Sequence, residues 1–152
     1  MKYFTMTEMY GSATAKAKGI DNTPGTQVRE NLAALVENVL DPLRAAYKKP
    51  IKVNCGYRCP GLNKAVGGVA TSQHLTGQAA DITGGSAEEN KKLFNLILML
   101  LPFDQVIYEF GGQWVHVSYS TRNRHQALMS YKQNGVTKYA KYAENNNSQV
   151  AK

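Results

Sequence analysis

The sequence predicts an α+β fold: a small, mostly antiparallel sheet with helices packed on one face. Two observations identify the helical layer. Val28, Leu32, Leu35, Val36, Val39, Leu40, Leu43 and Tyr47 recur at helical spacing and define one apolar stripe. Leu93, Phe94, Ile97, Leu98 and Leu101 define a second. A third observation supplies the sheet: short alternating segments bounded by glycine, with helices first and strands, helix and hairpin after them.

Taken in order, residues 7–18 read as a short first helix with Thr7 as cap, followed by a loop from Gly19 to Gly25. The long helix that follows contains Pro42, so a kink or break is expected near Asp41. Ile51 to Asn54 alternates as a half-buried strand that Gly56 ends. Residues 55–73 are rich in glycine and turn formers, and Gln78 to Ile82 reads as another strand. Ser86 and Glu89 form a capping box at the head of the second helix, which Pro102 stops. Gly111-Gly112 suits a two-residue hairpin turn between Val106–Phe110 and Gln113–Ser118. The chain reads as one domain over residues 1–142, with a polar, disordered tail over 143–152.

Composition excludes more than it identifies. At 152 residues with 43% apolar side chains the chain can bury a core without disulfides. Its two cysteines, Cys55 and Cys59, read as reduced thiols beside a turn. The longest apolar run, Leu96 to Leu101, is too short to span a bilayer. The first residues lack the apolar core of a secretory signal, so synthesis in the cytoplasm without a signal peptide is expected. Eighteen basic against 11 acidic residues give +7, spread along the chain rather than massed. No nucleic-acid motif accompanies that charge, and no nucleic-acid partner is expected.

The chemistry concentrates in two segments, Ser72 to Asp81 and Trp114 to Ser118, which hold two of the three histidines. Two imidazoles and a carboxylate, His74, His116 and Asp81, form a three-ligand set that leaves a fourth position on Zn²⁺ for water. Asp81, after two alanines and before Ile82, would be costly in a strand interior without a partner. In the hairpin register, Phe110 opposes Gln113, Glu109 opposes Trp114 and Ile107 opposes His116. Glu109, Trp114 and His116 then share a face, while Gln113 points away. Glu109 is therefore the candidate general base for a zinc-bound water. His125, in a basic segment, reads as a surface residue.

The run Asn54-Cys55-Gly56-Tyr57-Arg58-Cys59-Pro60-Gly61-Leu62-Asn63 is followed by Val66-Gly67-Gly68. Ser72, His74, Gly77, Ala79 and Asp81 then stand at fixed spacing, and Trp114, His116 and Ser118 come later. Together these resemble the zinc D-Ala-D-Ala carboxypeptidases of peptidase family M15, most nearly their phage- and prophage-associated branch. The resemblance implies a Hedgehog/DD-peptidase-like fold with one zinc ion held by His74, Asp81 and His116. It implies that Arg58 receives the substrate carboxylate and that Ser72, at the rim of the metal site, contacts substrate. Arg58 is also the leading cation to stabilise the oxyanion and so a catalytic candidate, and Trp114, on the face of Glu109 and His116, is a further candidate substrate contact. The Hedgehog domain has a Tyr-Glu pair before the same hairpin, which favours Glu109 as catalytic carboxylate. Three positions depart from the pattern. Trp114 stands where many relatives carry a histidine, Gln113 where some carry the catalytic acid, and Cys55 where serine is common.

The expectation is thus a zinc metallopeptidase cleaving peptidoglycan stem peptides, as a D,D-carboxypeptidase or an endopeptidase. A monomer is expected, released to the wall through a phage-type pore or carried in a virion. The alternative is a zinc-containing binding module of the same fold without turnover. A basic nucleic-acid-binding protein is a third reading that rests on charge alone.

Overall fold

Side-chain caps set the first helices of the computed structural model, which describes residues 1–143. The tail residues 144–152 lie outside the described residues. Helix α1, Met6–Tyr10, begins at Thr5, whose side chain accepts from the Glu8 N–H while the Glu8 carboxylate accepts from the Thr5 N–H. Ser12 then captures the Ala15 N–H and starts α2, Ala13–Lys18. The single helix expected from residue 7 is therefore two, because a second cap interrupts it and Thr5 rather than Thr7 opens the first.

The long apolar stripe forms α3, Thr26–Leu35, then a π turn, Val36–Leu40, then α4, Asp41–Tyr47. Proline has no N–H, and its ring crowds the carbonyl four residues back. The wider turn, in which the Asp41 N–H reaches the Val36 carbonyl, takes the helix past Pro42 without a break. Leu32, Leu35, Val36, Val39, Leu40 and Leu43 are fully buried. Each such side chain contributes roughly 1.5–3 kcal/mol relative to exposure.

Strand β1, Lys52–Cys55, leads to α5, Pro60–Ala65, a helix within the stretch expected to be turns. Proline at its first position is pre-set for a helix, and Leu62 and Asn63 are buried. Strand β2, Ala79–Thr83, precedes α6, Ala87–Leu100. Ser86 caps α6 through the Glu89 N–H. The Glu89 carboxylate, expected to return to the cap, instead binds Tyr47, Lys49 and Lys92 and so ties α4 to α6. Strands β3, Gln105–Glu109, and β4, Trp114–Ser118, form the hairpin. Beyond the segments assigned from sequence come β5, Gln126–Gln133, and β6, Val136–Lys141.

The six strands lie in the order β1-β2-β4-β3-β5-β6, antiparallel except for the β3–β5 pair. Ala80, Ile82, Val106, Tyr108, Val115, Val117 and Met129 face the helical core. The alternate residues turn to the other face. Expected pairings Glu109 with Trp114 and Ile107 with His116 both occur, but Phe110 does not oppose Gln113. The Phe110 N–H is drawn to Ser130 of β5, and the turn widens to four residues as both Gly112 and Gln113 donate to the Glu109 carbonyl.

The parallel β3–β5 pair forces the chain leaving β4 to pass around the start of β3, and Asp104 holds that crossing. Its fully buried carboxylate accepts from the Arg124 backbone N–H at 2.9 Å, the Arg124 guanidinium at 2.9 and 3.2 Å, and Gln73 at 2.9 Å. Burial raises this carboxyl's pKa, but the Arg124 and Gln73 bonds outweigh it and hold the group well below the usual range. Asp104→Asn should therefore cost about 2–3 kcal/mol in urea unfolding at neutral pH. Because the native pKa is depressed, that contribution is fully present above about pH 4 and drains away as pH falls through the lowered value. The gap between wild type and variant should narrow accordingly in acid.

Candidate metal centre and active site

The face of the sheet turned from the helices carries ionisable groups that strand pairing brings together. Asp81 of β2 lies directly opposite His116 of β4, which lies opposite Ile107 of β3. Glu109 is the next residue along β3 on this same face, beside Trp114. His74 arrives from a separate 3₁₀ turn, Gln73–Thr76, which Ser72 caps by accepting the His74 N–H. Gly77 closes that turn with φ of 74°, and a Cβ there would lie 2.8 Å from Val28 Cγ1 and 2.9 Å from the Val28 carbonyl. Only glycine lets the turn seat against α3.

Asp81 Oδ1 is 3.0 Å from His116 Nδ1 and 3.4 Å from His74 Nε2, and the two imidazole centroids are 5.2 Å apart. His74 Nδ1 lies 2.6 Å from the Gly56 carbonyl, which can only accept. The proton must therefore sit on Nδ1, leaving the Nε2 lone pair aimed at Asp81 in the neutral ring. A backbone carbonyl on one ring nitrogen fixes the tautomer and orientation of the imidazole in this way. Gly56 can reach that position because its backbone packs on α1, where a Cβ would meet the Met9 carbonyl oxygen at 2.1 Å.

The electrostatics favour a positive charge between these groups. Burial lowers the His74 pKa, but its bonds to Asp81 and Cys55 outweigh it and raise the imidazole to about 10. Burial raises Asp81, and the two histidines overcome it and hold the carboxyl low. A proton on His74 satisfies that demand, and so would a divalent cation held by Asp81 and its neighbouring donors. Two donor groups of suitable spacing share Asp81: Cys55 with His74, and Glu109 with His116, the donor atoms of each group lying within 4.8 Å of one another. Imidazole and carboxylate donors suit zinc. Cys55, left without an account by the sequence, is cross-strand from Asp81 with its sulfur 3.8 Å from His74 Nδ1, so a thiol backs the site.

These groups open onto a cleft of about 770 Å³ that Arg58, Ser72 and Trp114 also line. The Arg58 guanidinium donates to Ser72 Oγ at 3.3 Å, and its backbone N–H donates to the His74 carbonyl. Trp114 packs on Phe110 with ring centroids 5.4 Å apart. The exposed His125 stacks on Phe103, away from the cluster.

Sequence reasoning missed Ser130, Tyr139 and Asp104. Ser130, buried on β5, donates to Glu109 Oε1 at 2.6 Å and fixes the carboxylate. Tyr139 opposes Ser130 on β6 and lines the cleft. Glu109 is itself buried, which raises its pKa, with the Ser130 bond opposing. No spacing rule in the sequence links Ser130 to Glu109, since the contact needs the parallel crossover. Asp104 reads as a lone carboxylate before a strand until the crossover is seen.

An antiparallel-rich sheet thus carries a buried imidazole–carboxylate cluster in an open cleft, a donor set of the kind that suits a divalent metal. The family model Peptidase M15 matches residues 2–118, and the chain belongs to that family of zinc peptidases. No curated protein matches the chain. Among the described residues, no helix is long and apolar enough to cross a membrane.

The Gly56 carbonyl orients His74, so Gly56→Ala should weaken zinc binding about 10–100-fold. Competition with a chromophoric chelator would measure this, and unchanged affinity in a folded variant would show that the carbonyl does not set the ligand.

Proposed function

We propose that this protein is a zinc metallopeptidase acting on peptidoglycan stem peptides, with His74, Asp81 and His116 as zinc ligands and Glu109 as general base. The observation that carries the reading is the convergence of two imidazoles and a carboxylate, with a second buried carboxylate beside them, in one cleft of an M15 peptidase.

When bound, zinc supplies Lewis-acid polarisation of the scissile carbonyl and acidifies water. The residues of the chain do the rest. Arg58, linked to Ser72, docks a substrate carboxylate through the planar donors of its guanidinium. Glu109 takes the proton of the attacking water and returns it to the leaving amine. Ser130 occupies one oxygen of that carboxylate and leaves the other for the proton. Burial raises the pKa of Glu109, which makes it a better proton acceptor than an exposed glutamate. Trp114 and Phe110 form the apolar end of the cleft and contact the peptide there. The surplus of seven positive charges favours approach to anionic wall polymers.

Zinc-loaded protein should release peptide fragments from purified muropeptides, and a chelator should abolish the release. Glu109→Gln should keep one equivalent of zinc and lose about 10²–10⁴-fold in kcat. Undiminished cleavage by that variant would remove Glu109 from the mechanism. Zinc binding without any cleavage by the unaltered protein would favour a binding module, the reading that Trp114 in place of a second histidine supports.

Elemental analysis should find one zinc in the native protein and a large loss of it in His116→Ala. Full zinc retention by that variant would exclude His116 from the ligand set.

A further inference from the structure

The metal cleft does not end at the metal cluster. A second groove of about 370 Å³ shares Thr71, Ser72, Gln73 and Arg122 with it and continues between the Thr76–Gln78 segment and the loop at Ser120. Its other lining side chains are hydroxyls and amides, and Arg122 is its one charged residue.

The loop that presents Arg122 is built rather than slack. The Ser120 N–H donates to the Asn123 side chain, and the Arg122 N–H donates to Ser120 Oγ. The Arg124 guanidinium is committed to Asp104 in a two-pronged bond. Arg122 is differently placed. Its Nε is 3.6 Å from the same carboxylate, and the side chain is 63% exposed. Two guanidiniums against one buried carboxylate leave one positive charge uncompensated on the groove wall. Gln73, which also donates to Asp104, joins this wall to the turn carrying His74. The loop follows the segment matched to the family, which ends at residue 118.

We infer that this groove is a substrate subsite in which Arg122 recognises a carboxylate on the peptide remote from the bond that is cut. The inference rests on the peptidase reading and deepens it. A substrate that fills both cavities is an extended acidic peptide rather than a terminal dipeptide. Hydroxyl and amide groups along the groove suit a peptide backbone, which both donates and accepts. The pinned loop reduces the ordering cost of binding. Arg58 and Arg122 then bind different carboxylates of one ligand.

The test uses synthetic peptides with a common free C-terminus, in which one glutamate is moved position by position, each paired with its glutamine counterpart. Calorimetry on zinc-loaded Glu109→Gln protein reads binding apart from turnover. At one position glutamate should bind about tenfold tighter than glutamine. Arg122→Gln should bring the pair to parity, and Arg122→Lys, which keeps the charge, should retain part of the preference. Indifference to glutamate at every position, or a preference that survives Arg122→Gln, overturns the inference. Turnover by the unaltered protein is read in parallel. An Arg122-dependent preference without turnover supports the subsite while overturning hydrolysis of such peptides.

Discussion

The buried carboxylate of Asp104 is the interaction on which the rest of this structure depends. A fully buried charge is costly unless its lone pairs are filled, and here the partners come from two segments distant in sequence. Arg124 belongs to the loop that carries the chain from β4 around the start of β3, and Gln73 belongs to the turn that carries His74. The loop decides where β5 lies, and β5 brings Ser130 to Glu109. One carboxylate thus sets the position of a histidine on one side of the cleft and the support of a glutamate on the other. Backbone bonds hold the crossover at both ends. The Asp104 N–H donates to the Ser118 carbonyl where β4 ends, and the Phe103 and Asp104 carbonyls accept from the His125 and Gln126 N–H groups where β5 begins.

The two acidic groups of the cleft are held by different means. Asp81 faces two imidazoles, which keep it ionised despite burial. Glu109 faces a hydroxyl, and burial raises it. Neighbouring carboxylates whose surroundings push their pKa values apart are suited to different tasks, one to hold a cation and one to exchange a proton. The sheet achieves this with little adjustment. Asp81 and His116 are direct cross-strand partners, whereas Glu109 is displaced by two residues along β3 towards Ser130.

The legible parts of the fold were those written in short-range pattern. Apolar spacing located both long helices, and the Gly111-Gly112 pair located a hairpin whose pairing of Ile107 with His116 and Glu109 with Trp114 follows from simple alternation. The family resemblance carried by the Ser72–Asp81 and Trp114–Ser118 segments corresponds to the segment that the family model matches. What escaped was long-range. β5 pairs directly and in parallel with β3 although β4 lies between them in sequence, so no local turn announces it. The wider hairpin turn has the same origin, since Ser130 competes for the Phe110 N–H. The π turn before Pro42 escaped because a proline inside a strong apolar stripe is resolved by tertiary packing, which favours continuing the helix over breaking it.

Precision and choice therefore come from different parts of the chain. The candidate zinc ligands Asp81 and His116 stand on central strands, where pairing on both sides leaves little freedom. His74 stands on a short turn that would wander alone, and it is fixed by contacts made elsewhere: the Gly56 carbonyl, the Gly77 seat on α3 and the Gln73 bond to Asp104. The cationic side chains Arg58 and Arg122 stand on loops at the edges of the cleft. Loop residues can change without moving the sheet, so one sheet frame can present cleft edges of different shape and charge. In this chain the two levels are joined through Asp104. A change in the Arg122–Arg124 loop large enough to break that bond would be felt at His74 as well as at the substrate.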